Sequence, residues 1–161
     1  MISTDRLNII LLSDEEIQAT IQGEPIPELR QAYSEMLDGS RAHPDMREWY
    51  AVWDIRLSGQ PETTVGHLSF KGLTADGMAE IGYGISPEYE GRGYATEAVR
   101  AMVEWAAAQA GVKRIEAETE LDNCASQRVL EKVGFVRTGE IGEEGPRYYW
   151  KSKGEGQIEY K

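Results

Sequence analysis

The run Ile81-Gly82-Tyr83-Gly84-Ile85-Ser86-Pro87-Glu88-Tyr89-Glu90-Gly91-Arg92-Gly93-Tyr94-Ala95-Thr96-Glu97-Ala98 carries the first chemistry in this chain. It reads as a strand, a glycine-rich turn and the start of an amphipathic helix. Backbone N–H groups in such a turn converge on one point, and the helix dipole adds positive potential there. The run therefore predicts a phosphate or pyrophosphate site. Gly93 lets the backbone approach an anion closely, and the small Ala95 keeps that approach open. Taken alone, the glycines also fit an ordinary tight turn.

A dinucleotide loop is one alternative, because Glu116 lies about twenty residues beyond Thr96, where an acidic ribose ligand is expected. Three features oppose it. The third position of the glycine pattern is Thr96, the preceding strand sits in an antiparallel run, and no repeated strand–helix–strand units follow. A P-loop is excluded, since no Gly-Lys-Ser or Gly-Lys-Thr occurs. A second constellation lies downstream: Asn123-Cys124-Ala125-Ser126-Gln127-Arg128-Val129-Leu130-Glu131-Lys132-Val133-Gly134-Phe135. Asn123 and Ser126 suit helix capping, and Gly134 suits a helix stop. Arg128 and Lys132 fit a solvated helix face within reach of an anion.

The elements that must position these residues follow from periodicity. Arg6-Leu7-Asn8-Ile9-Ile10-Leu11-Leu12 predicts a first strand. Ser13-Asp14-Glu15-Glu16 supplies a cap and an acidic first turn, so a helix starts there. Pro25 and Pro27 interrupt it, and a second helix is expected over residues 28–37, stopping near Asp38-Gly39. Strand-like runs at residues 50–57, 64–70 and 79–85, joined by short turns, predict antiparallel hairpins. Residues 94–110 form the clearest helix. Ala95, Ala98, Val99, Met102, Ala106 and Ala110 share one face, and Gly111 stops it. Residues 114–119 read as a strand with Ile115, Ala117 and Thr119 on one face. A helix over 123–133 follows, then strands over 135–138 and 147–150. This mixed order predicts an α+β fold with one parallel crossover, as a single domain over residues 1–161.

Composition narrows the function classes. A length of 161 residues that are 40% hydrophobic fits one globular domain. No apolar run approaches the ~20 residues needed to span a membrane, and the first residues do not pattern as a signal peptide. Cys124 is the only cysteine, so no internal disulfide forms, and a cytoplasmic location is expected. A net charge of −11 argues against non-specific nucleic-acid binding. It either favours cationic partners or serves solubility alone.

Together and in order, with a strand between them, the two motifs strongly resemble the GNAT superfamily of acetyl-coenzyme A-dependent N-acetyltransferases. The opening Thr4-Asp5-Arg6-Leu7 resembles the start of its ribosomal-protein N-terminal (Rim-type) branch. The resemblance is close over residues 81–135 and loose over 13–47. It implies a GNAT-like acyl-CoA N-acyltransferase fold: a mixed, mostly antiparallel sheet flanked by helices, splayed between its fourth and fifth strands. It implies acetyl-CoA as co-substrate. The pyrophosphate would be cradled by the amides of Gly91, Arg92, Gly93, Tyr94, Ala95 and Thr96. Ile85 would pair with pantetheine through its backbone, and Asn123 and Ser126 would contact the cofactor. The family usually carries Arg or Gln where this chain has Glu90, which implies a modest loss of cofactor affinity.

The resemblance also implies direct attack of a primary amine in a ternary complex, so proximity and carbonyl polarisation dominate. Glu80 is the first candidate for general base, with Glu118 second; a solvent-facing carboxylate is the plain reading of either. Many members carry a Tyr general acid where this chain has Leu130, so Tyr148 is taken as the replacement phenol, with Tyr83 and Tyr149 as alternatives; core packing is the plain reading of all three, and solvent is the other proton source. Cys124 has no histidine nearby in sequence to activate it as an acyl carrier. His43 and His67 fit no metal-ligand pattern, so no metal is expected. The expected acceptor is a protein or peptide N-terminal amine, with an amino-sugar, polyamine or antibiotic amine as the alternative. Glu28, Glu35, Asp38 and Asp45 could attract it. The protein would act as a monomer or homodimer. A catalytically silent CoA-binding module is the rival class.

Overall fold

The computed structural model describes residues 1–151; residues 152–161, the end of the expected domain, lie outside that description. The expected hairpins organise the first half. Strands β2 (Leu7–Leu11), β3 (Trp53–Leu57), β4 (Gln60–Leu73) and β5 (Met78–Ile85) each pair antiparallel with the next, and a short β1 (Ile2–Ser3) edges β2. From β5 the chain turns through the glycine loop into helix α3 (Tyr94–Ala107) and returns as β6 (Arg114–Glu118), parallel to β5. A helical crossover is what allows two successive strands to run parallel. Two strands close the sheet, β7 (Phe135–Ile141) and β8 (Pro146–Trp150), and β8 pairs with β6. The eight strands lie in the order β1-β2-β3-β4-β5-β6-β8-β7. This is the expected α+β architecture with its one parallel crossover.

Strand alternation sends side chains to two faces. Leu68 and Phe70 of β4 and Ala79 and Ile81 of β5 are buried in the main core with Ala98, Val99, Met102, Val103 and Ala106 of α3. Trp105 of α3 meets the rings of Trp49, Trp53 and Phe70. Helices α1 (Asp14–Gly23) and α2 (Pro27–Ala42) belong to a second cluster of Leu12, Ile17, Tyr33, Leu37, Ala51 and Val52. Ser13 caps α1 as the sequence predicts, and with Glu16 it closes a capping box.

Several boundaries differ from expectation for local reasons. Helix α2 runs past Gly39 to Ala42. A Cβ at Gly39 would come within 3.3 Å of the Tyr50 ring, so that glycine makes room for Tyr50 instead of stopping the helix. The strand expected from residue 50 begins at Trp53, because the N–H groups of Tyr50 and Ala51 bond back to Arg47 O and close a 3₁₀ segment, Pro44–Trp49. Helix α3 ends at Ala107, leaving Ala110 exposed.

The parallel pair is short. β5 and β6 align only at Met78↔Arg114, Ala79↔Ile115 and Glu80↔Glu116. Beyond that, β5 follows β4 to Ile85 while β6 follows β8, so a gap opens between them. Arg147 of β8 sits where the gap begins. Its Nη2 donates to Glu80 Oε1 (3.0 Å) and Glu116 Oε1 (2.8 Å), and its Nη1 to Glu118 Oε1 (2.6 Å). Lys71 holds the other oxygen of Glu80 at 3.0 Å. The three carboxylates alternate with core residues and so share the face opposite α3. Burial opposes the charge on Glu116, but hydrogen bonds from Arg147 and Arg114 outweigh it and hold its pKa below the usual value. The Glu144 N–H, ahead of Arg147, does the same for Glu118.

Arg147→Met should therefore leave three partly buried carboxylates short of a partner and cost about 3 kcal/mol in urea unfolding. The depressed folded pKa values of Glu116 and Glu118 give the sign with pH. Their contribution is complete above the unfolded value near 4.5 and is lost as pH falls through the lower folded values. That acid-side loss should shrink in Arg147→Met, as read from denaturation midpoints across pH.

Candidate active site

The glycine loop has the geometry of an anion cradle. Gly91 (φ +77°) and Gly93 (φ +84°) lie in the left-handed region that residues with a Cβ adopt only at a cost. Gly93 is the N-cap of α3, and no side chain caps that end. The first helical N–H to bond back is that of Glu97, to Gly93 O at 3.1 Å. The N–H groups of Tyr94, Ala95 and Thr96 thus lack intrahelical acceptors. They adjoin a cleft of about 610 Å³ whose walls include Ile85, Gly91, Gly93, Tyr94, Ala95 and Thr96.

The chain's first residues brace this loop. Glu97 accepts from Thr4 Oγ1 (2.5 Å), from the Arg6 N–H (2.9 Å) and from Arg6 Nε (2.8 Å). Burial works against that carboxylate, but these bonds hold its pKa below normal. The Arg6 guanidinium also lies over the Tyr94 ring, 4.6 Å from its centroid, and donates to Arg92 O at 2.9 Å. The expectation for Arg92 concerns its amide; its side chain turns elsewhere. Arg92 is not on the cleft wall; its side chain reaches back to Glu88 O (3.3 Å) and lies over the Tyr89 ring.

Helix α4 (Cys124–Val133) forms the facing wall. Asn123 caps it by accepting from the Ser126 N–H at 3.1 Å, and both residues also line the cleft, so capping and cleft positions coincide. Arg128 and Lys132, read from sequence as a solvated face, are exposed yet stand on this wall. They bring two positive charges to the cleft. Glu90 is exposed on its rim with no ion pair among the described residues. Tyr83 also lines the cleft, with its hydroxyl 2.8 Å from Ser126 Oγ. Burial, aided by nearby Tyr148, raises its pKa, against the hydrogen bond from Ser126. Period-two spacing from Ile85 was the signal that could have put Tyr83 first.

Two expected catalytic residues sit differently. Both oxygens of Glu80 are ion-paired, to Arg147 and Lys71, so accepting a proton would cost one of those pairs. Tyr148 is fully buried and absent from the cleft wall; its hydroxyl has no partner among the described residues. The structure thus puts Tyr83, not Tyr148, at the cleft. Cys124 is exposed. Among the described residues, no His, Cys, Asp and Glu side chains gather as a metal site, and no helix is long and apolar enough to cross a membrane.

Left-handed glycines with orphan N–H groups, two cations opposite and an unpaired strand edge beside them fit an extended ligand carrying a pyrophosphate. Fold and cleft together are those of a GNAT-type acyltransferase. The chain matches the acetyltransferase (GNAT) domain family over residues 2–136 and belongs to that family. It is 41% identical over 73 residues to the uncharacterized N-acetyltransferase YjdG of Bacillus subtilis, a match covering 45% of this chain and 44% of that protein. It is 29% identical to YoaA of the same organism, covering 86% of this chain and 84% of that one. Thus the chain spans less than half of the first of these relatives. A GNAT acetyltransferase structure from Bacillus anthracis superposes with TM-score 0.65 at 25% identity, covering 92% of this chain and 95% of that one. Two more distant structures share the fold. One is the ribosomal L7/L12 alpha-N-protein acetyltransferase RimL with coenzyme A (TM-score 0.68, 16% identity, 91% and 94% covered). The other is spermidine N-acetyltransferase from Vibrio cholerae with CoA and spermine (TM-score 0.69, 15% identity, 91% and 95% covered).

Coenzyme A is expected to raise the melting temperature of the wild type, and Gly93→Asp should abolish that shift. The substitution adds a negative charge at the cradle and a Cβ that meets Arg6 Nη2 at 3.2 Å. A melting curve unchanged by coenzyme A is the expected reading for that variant.

Proposed function

We propose that this protein transfers the acetyl group of acetyl-CoA to a primary amine by direct attack in a ternary complex. The observation that carries this reading is the junction of two features: the uncapped α3 N-terminus with its glycine loop, and the gap between β5 and β6. The N–H groups of residues 91–96 would hold the pyrophosphate, with Arg128 and Lys132 adding positive potential. The backbone groups of β5 that lose their ladder partner beyond Glu80, including Ile85, would pair with the pantetheine arm. A β5 N–H aimed into the gap would polarise the thioester carbonyl as negative charge develops. Asn123 and Ser126 line the same path.

Acyl transfer leaves a thiolate that needs a proton. Our candidate donor is Tyr83: its hydroxyl is 2.8 Å from Ser126 Oγ, the residue lines the cleft, and Leu130 offers no proton. A burial-raised pKa keeps that phenol protonated until the thiolate appears. Tyr83→Phe should lower kcat by about 10²-fold while leaving coenzyme A affinity unchanged, as read by single-turnover thiol release.

For the acceptor we propose a protein or peptide N-terminal amine. An α-amine, with a pKa near 8, is already neutral in part at pH 7 and asks least of the enzyme, whereas a lysine amine near 10.4 asks more. A thiol-release screen with acetyl-CoA across N-terminal peptides, polyamines and amino-sugars should show turnover with the peptides. Turnover with spermidine alone would move the reading to a small amine. Binding of acetyl-CoA without thiol release under any amine would mark a silent module.

A further inference from the structure

On the sheet face opposite α3, three polar side chains from three elements stand in a row that the acetyl-CoA cleft does not use. Asp54 of β3 is 6% exposed. Its Oδ2 accepts from the Arg56 guanidinium (2.9 and 3.0 Å) and from Thr64 Oγ1 (3.3 Å). Its Oδ1 is buried without a hydrogen bond among the described residues, and His67 Nε2 on β4 lies 2.9 Å away as an ion-pair contact. A carboxylate oxygen at that distance attracts an Nε2–H and repels a bare Nε2 lone pair, which favours the Nε2–H tautomer. His67 Nδ1 is then an acceptor, and the Tyr33 hydroxyl of α2 lies 3.0 Å from it as the donor.

The middle member of the row, His67, stands beside the expected reaction point, and Tyr33 next to it is 6% exposed. His67 is paired in register with Gly84 of β5, and Gly84 lines the cleft next to Ile85. No atom lies within 4 Å of where a Cβ would project from Gly82 or Gly84, so this face is open directly over β5. The His67 side chain is 26% exposed. The charged and titratable groups around it are Tyr33 from α2, with Glu24 acting on Tyr33, and Asp54 and Arg56 from β3; β5 presents glycine.

We propose that Tyr33, His67 and Asp54 form the proton-accepting relay for the acceptor amine, which enters over Gly82 and Gly84 on this face. The proposal rests on the acetyl-transfer reading above. The ammonium N–H bond breaks as a new O–H bond forms on Tyr33, directly or through water. The original Tyr33 proton passes to His67 Nδ1, and the resulting imidazolium is held by the Asp54 carboxylate. The amine keeps its lone pair and attacks the thioester; as the C–S bond breaks, the second proton on that nitrogen leaves to water and Tyr83 protonates the departing thiolate. Reversal of the same steps returns the proton to solvent. Burial, with Glu24 and Asp54 nearby, pushes Tyr33 up to about 12, so it shuttles a proton as a neutral phenol and never stands as a phenolate. Despite burial, His67 and Arg56 keep Asp54 ionised by lowering its pKa. Glu80, tied to Arg147 and Lys71, is thereby left to hold the strand gap.

The test combines kinetics with spectroscopy on the full chain. Tyr33→Phe and His67→Gln should each lower kcat about 10²-fold with peptide amines while coenzyme A stabilisation stays at the wild-type level. In both variants the acid limb of the kcat/KM profile should simply follow the neutral fraction of the amine, so activity recovers at high pH. Wild-type kcat and an unchanged acid limb in either variant would overturn the relay, as would loss of coenzyme A binding in Tyr33→Phe, which marks a packing role. Histidine ¹⁵N spectra of the wild type give a second reading, simple because His43 is the only other histidine. A protonated Nε2 and an accepting Nδ1 at His67 are expected; the opposite tautomer sinks the relay whatever the kinetics. A wild type with that tautomer but no thiol release would instead sink the acetyl-transfer reading.

Discussion

The rest of the structure depends on two parallel strands that stop pairing too early. β5 and β6 share only the register from Met78 to Glu80, and beyond it each follows a different neighbour. A sheet that splits leaves backbone groups without partners, which is costly unless something replaces the ladder. Arg147 sets where the split begins by tying Glu80 of one strand to Glu116 and Glu118 of the other. One guanidinium, with its fork of donors, spans both sides of a gap that no backbone bond crosses. The gap is then a fixed slot for an extended ligand.

The second constraint is at the slot's end, where the loop must present bare N–H groups without collapsing. An uncapped helix N-terminus ordinarily recruits a side chain or water. Here Gly93 offers no side chain, and the bracing comes from behind, through Thr4 and Arg6 on Glu97 and Arg6 on Arg92 O. The brace uses the outward side of the first turn and leaves the inward side to the cleft. Arg128 and Lys132 oppose it from α4, so positive potential converges from two elements despite the chain's net charge of −11. Glu90 works against that convergence from the rim.

Much of this was legible in the order of residues. The hairpins, the crossover, the capping of α1 and α4 and the glycine loop all rest on local chemistry: alternation, cap residues and glycine's tolerance of positive φ. Readings that needed a partner distant in sequence came out differently. Gly39 looked like a helix stop and proved to be clearance for Tyr50. Tyr148 looked like an available phenol and lies in the core, because β8 was drawn into the sheet beside β6. Glu80 looked like a free strand carboxylate, and nothing near it in sequence announces Arg147. His67, judged only against metal-ligand spacing, gained neighbours from α2 and β3.

The sequence by itself therefore determined the elements, their order, the glycine loop at the α3 N-terminus and the family to which the chain belongs. Each of those follows from interactions within a few residues along the backbone. Only the tertiary structure decided which face each charge occupies and which partner holds it. Those pairings join residues far apart in the chain, from Tyr33 to His67 or from Glu80 to Arg147. They form because the sheet brings β3, β4, β5, β6 and β8 side by side, and buried charges then bind whatever opposite charge the register presents.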